Sequence, residues 1–314
     1  MPIEQRIPGD GGDGAAQRRE GGRGRPLNGW AELRDRGVLL EDEAVLVLNK
    51  PAGISVVGER HGTDLVGLAR DAGERLLPVH RIDKVTSGAL LLAKEPRIHA
   101  DLTRQFSRRS VDKVYLAVTR SGGLPPHGTI ELPLCVGRKD RVRVAAPRGS
   151  IAADEASRCW SVPPAEVFTH TRSYPSLTTF VRLWGDERNT VLAVRPITGR
   201  RHQVRVHLAW IGHPILGDPL FDRDGGSGAA RTSLHSWRIG FDAAWAGGAR
   251  VGVEAAPGED FWVPVHGRLP GGTPTVLERA RRGIEGLDGA RTSGGASGGG
   301  DDLGDRVDDD RRLL

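Results

Sequence analysis

Apolar positions follow two rhythms along this chain, and together they predict strands mixed with a few helices. Ala44–Asn49 (AVLVLN) is an apolar run stopped by Pro51-Ala52-Gly53, and Gly88–Ala93 (GALLLA) is another, stopped by Lys94-Glu95-Pro96; both predict strands. The period then changes, because Ile98, Leu102 and Phe106 are spaced by four within Pro96–Arg108 and share one face of a helix. Val114–Val118, Thr178–Leu183 and Val191–Val194 carry further strand character. After Thr198-Gly199, Val204, Leu208 and Ile211 fall on one helical face and Gly212 supplies the stop, with Arg201 and Arg205 four apart on another face. A strand there would align Gln203, Arg205 and His207, but the alternation is too short to sustain one. There is no internal repeat, and the mixture predicts an α+β fold rather than a regular βαβ array.

The ends read differently. Residues 1–28 are rich in Gly and Arg, and residues 286–314 are Gly-rich and acidic. Neither offers enough apolar surface to offset the entropy of ordering, so both are expected to be disordered tails around a body at 29–285. Gly122–Arg172 is the least regular part of that body. Within it, Arg138–Val144 alternates charge with valine, as a solvent-exposed edge hairpin does, or one that touches a polyanion.

Composition narrows the class. With 38% hydrophobic residues in 314, the chain can bury a substantial core. It contains no apolar run of about 18 residues, and its first residues lack the apolar stretch of a secretory signal, so the expected location is the cytoplasm with no membrane contact. Cys135 and Cys159 lack CxxC spacing and read as reduced structural thiols, not as a zinc or redox site. The formal charge is +5, yet residues 287–314 hold four Arg against seven Asp, so the body is more basic than the total. A basic body suits a polyanion such as RNA, although Arg richness is equally what a GC-rich coding sequence gives.

Candidate chemistry concentrates in Leu77–Lys94 (LPVHRIDKVTSGALLLAK). His80, Arg81, Asp83, Lys84, Thr86, Ser87 and Gly88 stand directly before an apolar strand, the arrangement by which a sheet displays reactive groups at its end. Arg81 and Lys84 would keep the Asp83 carboxylate ionised, as a nucleophile or base requires. The competing reading makes Asp83 the cap of the Thr-Ser-Gly turn. His80 to Gly88 (HRIDKVTSG) resembles the HRLDxxTSG signature of the RluA-type branch of RNA pseudouridine synthases, with Ile82 in place of leucine. That resemblance implies a central cleft in a mixed, largely antiparallel sheet with flanking helices. It also implies Asp83 as the catalytic residue and Arg81 as the group that fills the base stack when the uridine flips out.

Two further segments extend the resemblance. Lys113-Val114-Tyr115 is similar to the family's KxY segment, which implies that Tyr115 packs on the target base and, as a lesser role, takes the C5 proton; a strand tyrosine is otherwise ordinary packing. Pro196–Phe221 (PITGRRHQVRVHLAWIGHPILGDPLF) resembles the family's TGRxHQIRVHL and GHPIxGD motifs. It implies an ion pair between Arg205 and Asp83, with Arg200, Arg201, His202 and Gln203 near phosphate or behind the site and His80, Lys84 and Lys113 as RNA contacts. His202, His207 and His213 do not share a helical face, so no metal is expected. Arg231–Trp237 (RTSLHSW) is a weaker match to a closing RLxLHA segment, and the opening LNKPAG at Leu48–Gly53 is also shared. The similarity runs from about Ala44 to Pro264 and thins across Gly122–Thr190. No S4-like RNA-binding domain fits the N-terminal segment, so recognition is expected to rest on the catalytic body, acting as a monomer without cofactor. The weighed alternatives are a non-catalytic RNA-binding protein and an aspartate-nucleophile hydrolase; no second carboxylate or DxD pattern stands near Asp83 to support the latter.

Overall fold

The computed structural model describes residues 29–58, 64–223 and 229–293, with side chains as far as Ile284. Residues 1–28 and 294–314, which hold the first expected tail and most of the second, lie outside the described residues. In chain order the elements are α1 (Trp30–Gly37), β1 (Val38–Glu41), β2 (Val45–Lys50), α2 (Leu65–Asp71), β3 (Leu77–Pro78), β4 (Ser87–Ala93), α3 (Pro96–Ser107) and β5 (Asp112–Arg120). Then come β6 (His127–Glu131), β7 (Leu134–Val136), β8 (Val142–Val144), β9 (Ala152–Asp154), β10 (Cys159–Ser161), β11 (Ser173–Tyr174), β12 (Leu177–Gly185) and β13 (Asn189–Pro196). The chain closes with α4 (Gln203–Trp210), β14 (Leu234–Ala243), β15 (Ala249–Glu254), α5 (Glu259–Trp262) and α6 (Gly272–Ser293). Among the described residues no helix is long and apolar enough to cross a membrane.

The fold is α+β, as the apolar rhythms predict. One large sheet runs β1-β2-β4-β14-β5-β13-β12-β6-β10-β9, with β15 beside β14 and β3 beside β4. Its pairs are antiparallel except β4 with β14 and β6 with β10. The unbroken apolar character of β4 follows from burial of both its faces. Ala89, Leu91 and Ala93 pack with Ile98 and Leu102 of α3, while Leu90 and Leu92 pack with Trp30, Leu33 and Leu65 of α1 and α2. Full burial of one such leucine contributes roughly 1.5–3 kcal/mol. In the other half of the sheet, Val114, Leu116, Val118, Val191 and Ala193 face Phe261 and α6. The opposite face of those strands, through Ala117, Leu192 and Val194, packs on Val204, Val206 and Leu208 of α4.

The two halves meet through a short parallel contact, His235 with Ser87 and Ser236 with Gly88. Gly88 is required there. Its φ is +110°, and a Cβ would stand 2.2 Å from the Ser236 carbonyl oxygen. The joint is clasped by His235, whose Nδ1 accepts from the Ser87 hydroxyl at 2.7 Å and whose Nε2 donates to the Ala255 carbonyl at 2.9 Å. Burial holds this imidazole neutral, with its pKa pushed down to about 4. The RTSLHSW segment thus serves the sheet. Because the joint is short, the β2-β4 half and the β5-β13 half leave a cleft between them, and Tyr115 of β5 is the side chain that touches the apolar clusters on both sides.

In the irregular middle of the chain, Arg138–Val144 forms the turn and second strand of an edge hairpin, as expected, but only part of it faces solvent: β8 pairs with β7 in a second sheet, ordered β11-β7-β8, Arg138 to Arg141 are exposed, and Val142 and Val144 are 1% and 0% exposed. Valines at alternate positions face the same side, and here that side is the core beneath α4. Arg141 turns outward, and Arg143 is half-buried against the Phe168 ring.

Candidate active site

Asp83 lies in the loop between β3 and β4. The turn is closed by backbone, Thr86 N–H donating to the Asp83 carbonyl at 3.0 Å, so the carboxylate is left for other work. This disposes of the turn-capping reading. A second loop supports the first: Gly53 N–H donates to the Lys84 carbonyl at 2.7 Å, and the buried Lys50 ammonium donates to the carbonyls of Pro51 and Ile54, each at 2.8 Å. Burial pushes Lys50 down to about 7, against the pull of the Asp83 charge. Lys50 stands in the LNKPAG segment but is given no role by sequence reasoning.

The carboxylate Oδ2 of Asp83 accepts from Arg205 Nη1 at 2.8 Å. Arg205 is 3% exposed at its side chain and Asp83 is 18% exposed, so the pair is anchored from within and open on one side. The guanidinium has a second holder. Its Nε and Nη2 donate to Asp218 Oδ2 and Oδ1 at 2.7 and 2.8 Å, the two-pronged geometry that suits arginine and not lysine. Burial opposes the arginine charge, but hydrogen bonds and attraction from Asp218 and Asp83 outweigh it, and the pKa rises above the ordinary value. Asp218, completely buried, is the functional residue that sequence reasoning missed. The available signal was a carboxylate in the apolar turn ILGDPLF, where a buried charge demands a partner.

Residues before α4 set the arginine in place. Gln203 is buried: its amide donates to the Leu177 carbonyl and Thr178 Oγ1, both at 2.9 Å, and its oxygen accepts from Thr198 Oγ1 at 2.7 Å and Arg200 N–H at 3.0 Å. His202 takes a left-handed backbone, φ +57°, immediately before the helix. That places its Nε2 3.8 Å from Asp83 Oδ1, the oxygen opposite the one that Arg205 holds. Burial lowers the His202 pKa, with Asp83 opposing. The expected basic pair on one helix face does not form, because Arg201 precedes the helix and donates to Asp140 Oδ2 at 2.7 Å. Helix α4 is buried from Gln203 through Ala209 and so lacks a solvent face over that span.

The cleft in front of Asp83 encloses about 950 Å³, and Arg81, Lys113, Tyr115, Arg200 and Arg201 are among its lining residues. Burial, then the charge of Asp83, pushes the Tyr115 phenol up to about 12, with a Ser236 hydrogen bond pulling the other way. Lys113, half-buried, is pushed down to about 8 by burial and by Arg109. Arg81 is exposed and lines the cleft, whereas Lys84 is exposed and does not. Two residues named as candidate RNA contacts, His80 and Gln203, the latter with the alternative of lying behind the site, spend hydrogen bonds on the fold while lining the cleft. His80 stacks on Phe106 at 4.8 Å, accepts the Leu91 N–H at 2.9 Å and is held neutral by burial near pKa 3, so it braces the wall. Gln203 is consumed by the turn it ties.

The histidines expected not to bind metal have separate fates. His207 contacts Thr178 Oγ1 at 2.9 Å and the Leu132 carbonyl at 3.0 Å, and His213 contacts Ser121 Oγ at 3.1 Å. Among the described residues no cluster of three His, Cys, Asp or Glu side chains could share a metal ion. Both cysteines are free thiols.

Residues 44–210 match the RNA pseudouridylate synthase family. The chain is 33% identical over 190 residues to the tRNA pseudouridine(31) synthase of Saccharomyces cerevisiae, covering 59% of this chain and 46% of that protein. It is 30% identical over 226 residues to the dual-specificity RNA pseudouridine synthase RluA of Vibrio vulnificus, covering 69% and 79%. It therefore spans less than half of the yeast relative and most of the bacterial one. In fold it is similar to human RNA pseudouridylate synthase domain containing 4, with a TM-score of 0.60 and 24% identity over 76% of this chain and 94% of that one.

Proposed function

Because the chain belongs to the RluA-type branch of the RNA pseudouridylate synthase family, we propose that it converts uridine in ribosomal or transfer RNA to pseudouridine, with Asp83 acting on the ribose of a flipped-out nucleotide. The observation that carries this reading is the Asp83 carboxylate, open to the cleft and held through one oxygen by Arg205, which Asp218 fixes in turn. The reaction breaks the N1–C1′ bond, turns the uracil, joins C5 to C1′ and moves a proton from C5 to solvent while N1 gains one. Mass is conserved and no electrons are exchanged, so the chemistry asks for no cofactor.

Asp83 serves either of two routes: attack on C1′, or removal of the C2′ proton to give a glycal. Arg205 orients it in both. Tyr115 packs against the base, and a phenol pushed up to about 12 keeps its proton at neutral pH, which favours packing over proton transfer. Walls on both sides keep the detached uracil in place. Release of tritium from uracil C5 in ribosomal and transfer RNA tests the activity. Binding of both RNAs without any release would favour a non-catalytic RNA-binding protein.

Arg81, exposed at the cleft, is suited to occupy the gap left by the extruded base. Arg81→Ala is expected to slow turnover at least about tenfold on a uridine stacked in structured RNA and less than about threefold in an unstructured oligonucleotide. Equal losses on both substrates would remove the gap-filling role. Lys113 gives a pH signature. Its charge is complete well below pH 8 and is lost as pH rises through about 8, so RNA affinity should weaken across that range. In Lys113→Gln that component should vanish, with the salt dependence of binding reduced by about 0.7 in logarithmic slope. A wild-type affinity that stays flat across the same pH range would dismiss the contact.

A further inference from the structure

The cleft wall beyond the catalytic carboxylate holds a feature that joins a motif residue, Arg200, to two residues outside the shared motifs. Tyr174 of β11, partly buried, packs against the core cluster that includes α4, while two guanidinium groups lie over its ring, Arg172 at 4.9 Å and Arg200 at 5.3 Å from the centroid. All three line the same cleft as Asp83. Arg200 is fixed close to the chemistry, since its N–H donates to Gln203 and it stands two residues before His202, which faces the Asp83 oxygen. Arg172 is exposed and rests on the Tyr174 ring. A base would find ring and guanidinium planes there on which to stack, and the two guanidinium groups beside the ring stand where the phosphate of such a nucleotide could reach them.

We propose that Arg172, Tyr174 and Arg200 form a subsite for the nucleotide adjoining the target uridine in a single-stranded stretch of RNA, with the base stacked on the shelf and the phosphate between the arginines. The proposal rests on the reading of the cleft as an RNA-modifying site. Arg172 and Tyr174 come from the segment where the motif resemblance thins, so the subsite is a place where this chain selects RNA by its own residues. Stacking tolerates any base, and the shelf therefore reads the presence of an unpaired neighbour more than its identity.

Binding of a single-stranded RNA of about nine nucleotides with one central uridine tests this, using full-length Asp83→Asn protein to prevent turnover. The same RNA is then given an abasic ribose at each neighbouring position in turn. At one neighbour, loss of the base should weaken binding about tenfold, or 1.4 kcal/mol. Tyr174→Leu, which keeps apolar bulk but no ring, should bind the intact RNA about tenfold more weakly and respond to that abasic position by less than about twofold; Tyr174→Phe should behave as the parent. A Tyr174→Leu protein that loses affinity equally for every abasic RNA, or loses none, overturns the subsite. Tritium release by the wild-type chain, measured in parallel, keeps the two questions apart: turnover without a base-specific loss overturns only the shelf, and absence of turnover on every RNA tried overturns the activity itself.

Discussion

Asp83→Asn is expected to lower the rate of C5 tritium release by on the order of 10⁴-fold or more, equivalent to about 5.5 kcal/mol of barrier, while RNA affinity stays within about threefold. The reasoning starts from what the substitution spares. Asparagine has the same shape, and Arg205 keeps both of its bonds to Asp218, so the guanidinium is not left without a counter-charge. What disappears is the negative oxygen that would attack C1′ or take the C2′ proton, and an amide does neither. On the proposed reading, binding would depend on cations such as Lys113, Arg172 and Arg200 and on stacking, none of which the change touches. Removing a negative charge from a cleft that receives a polyanion can only strengthen binding. Rate and affinity falling together would identify Asp83 as a structural residue, and a rate within about tenfold of wild type would move the chemistry elsewhere.

The site was legible where chemistry and local pattern coincide, and hidden where long-range packing decides. Asp83 could be picked out because a polar cluster stands before an apolar strand, and β4, α3 and α4 followed from the period of Leu90, Leu92, Ile98, Leu102, Val204 and Leu208. The guanidinium that holds Asp83 comes from a residue 122 positions away, and only the motif resemblance pointed to it. Asp218 and Lys50 escaped because a buried charge looks the same in sequence as an exposed one until its partners are known. His80 and Gln203 show the converse: a motif marks polar side chains near a site without saying which of their hydrogen bonds serve the fold, here those to Leu91 and to the turn that leads into α4. In the middle segment, Val142 and Val144 alternate with arginine, and alternation fixes which residues share a face without saying which face is covered. Tyr174 lay in that same segment, with no pattern to set it apart.

Arg205→Met carries the largest expected loss of stability, about 3–5 kcal/mol at neutral pH by urea denaturation, together with loss of most activity. Methionine fills much of the space but leaves two carboxylates without their shared cation, and Asp218 is completely buried. A second substitution separates stability from chemistry. Arg205→Met combined with Asp218→Leu removes the buried anion along with its partner and should recover most of the lost stability, since an apolar replacement of a buried pair is often neutral. Activity should not return, because the recovered fold holds Asp83 without the guanidinium that orients it. Recovery of both would mean that Arg205 only maintains the fold and that the Asp83 carboxylate needs no positioning charge.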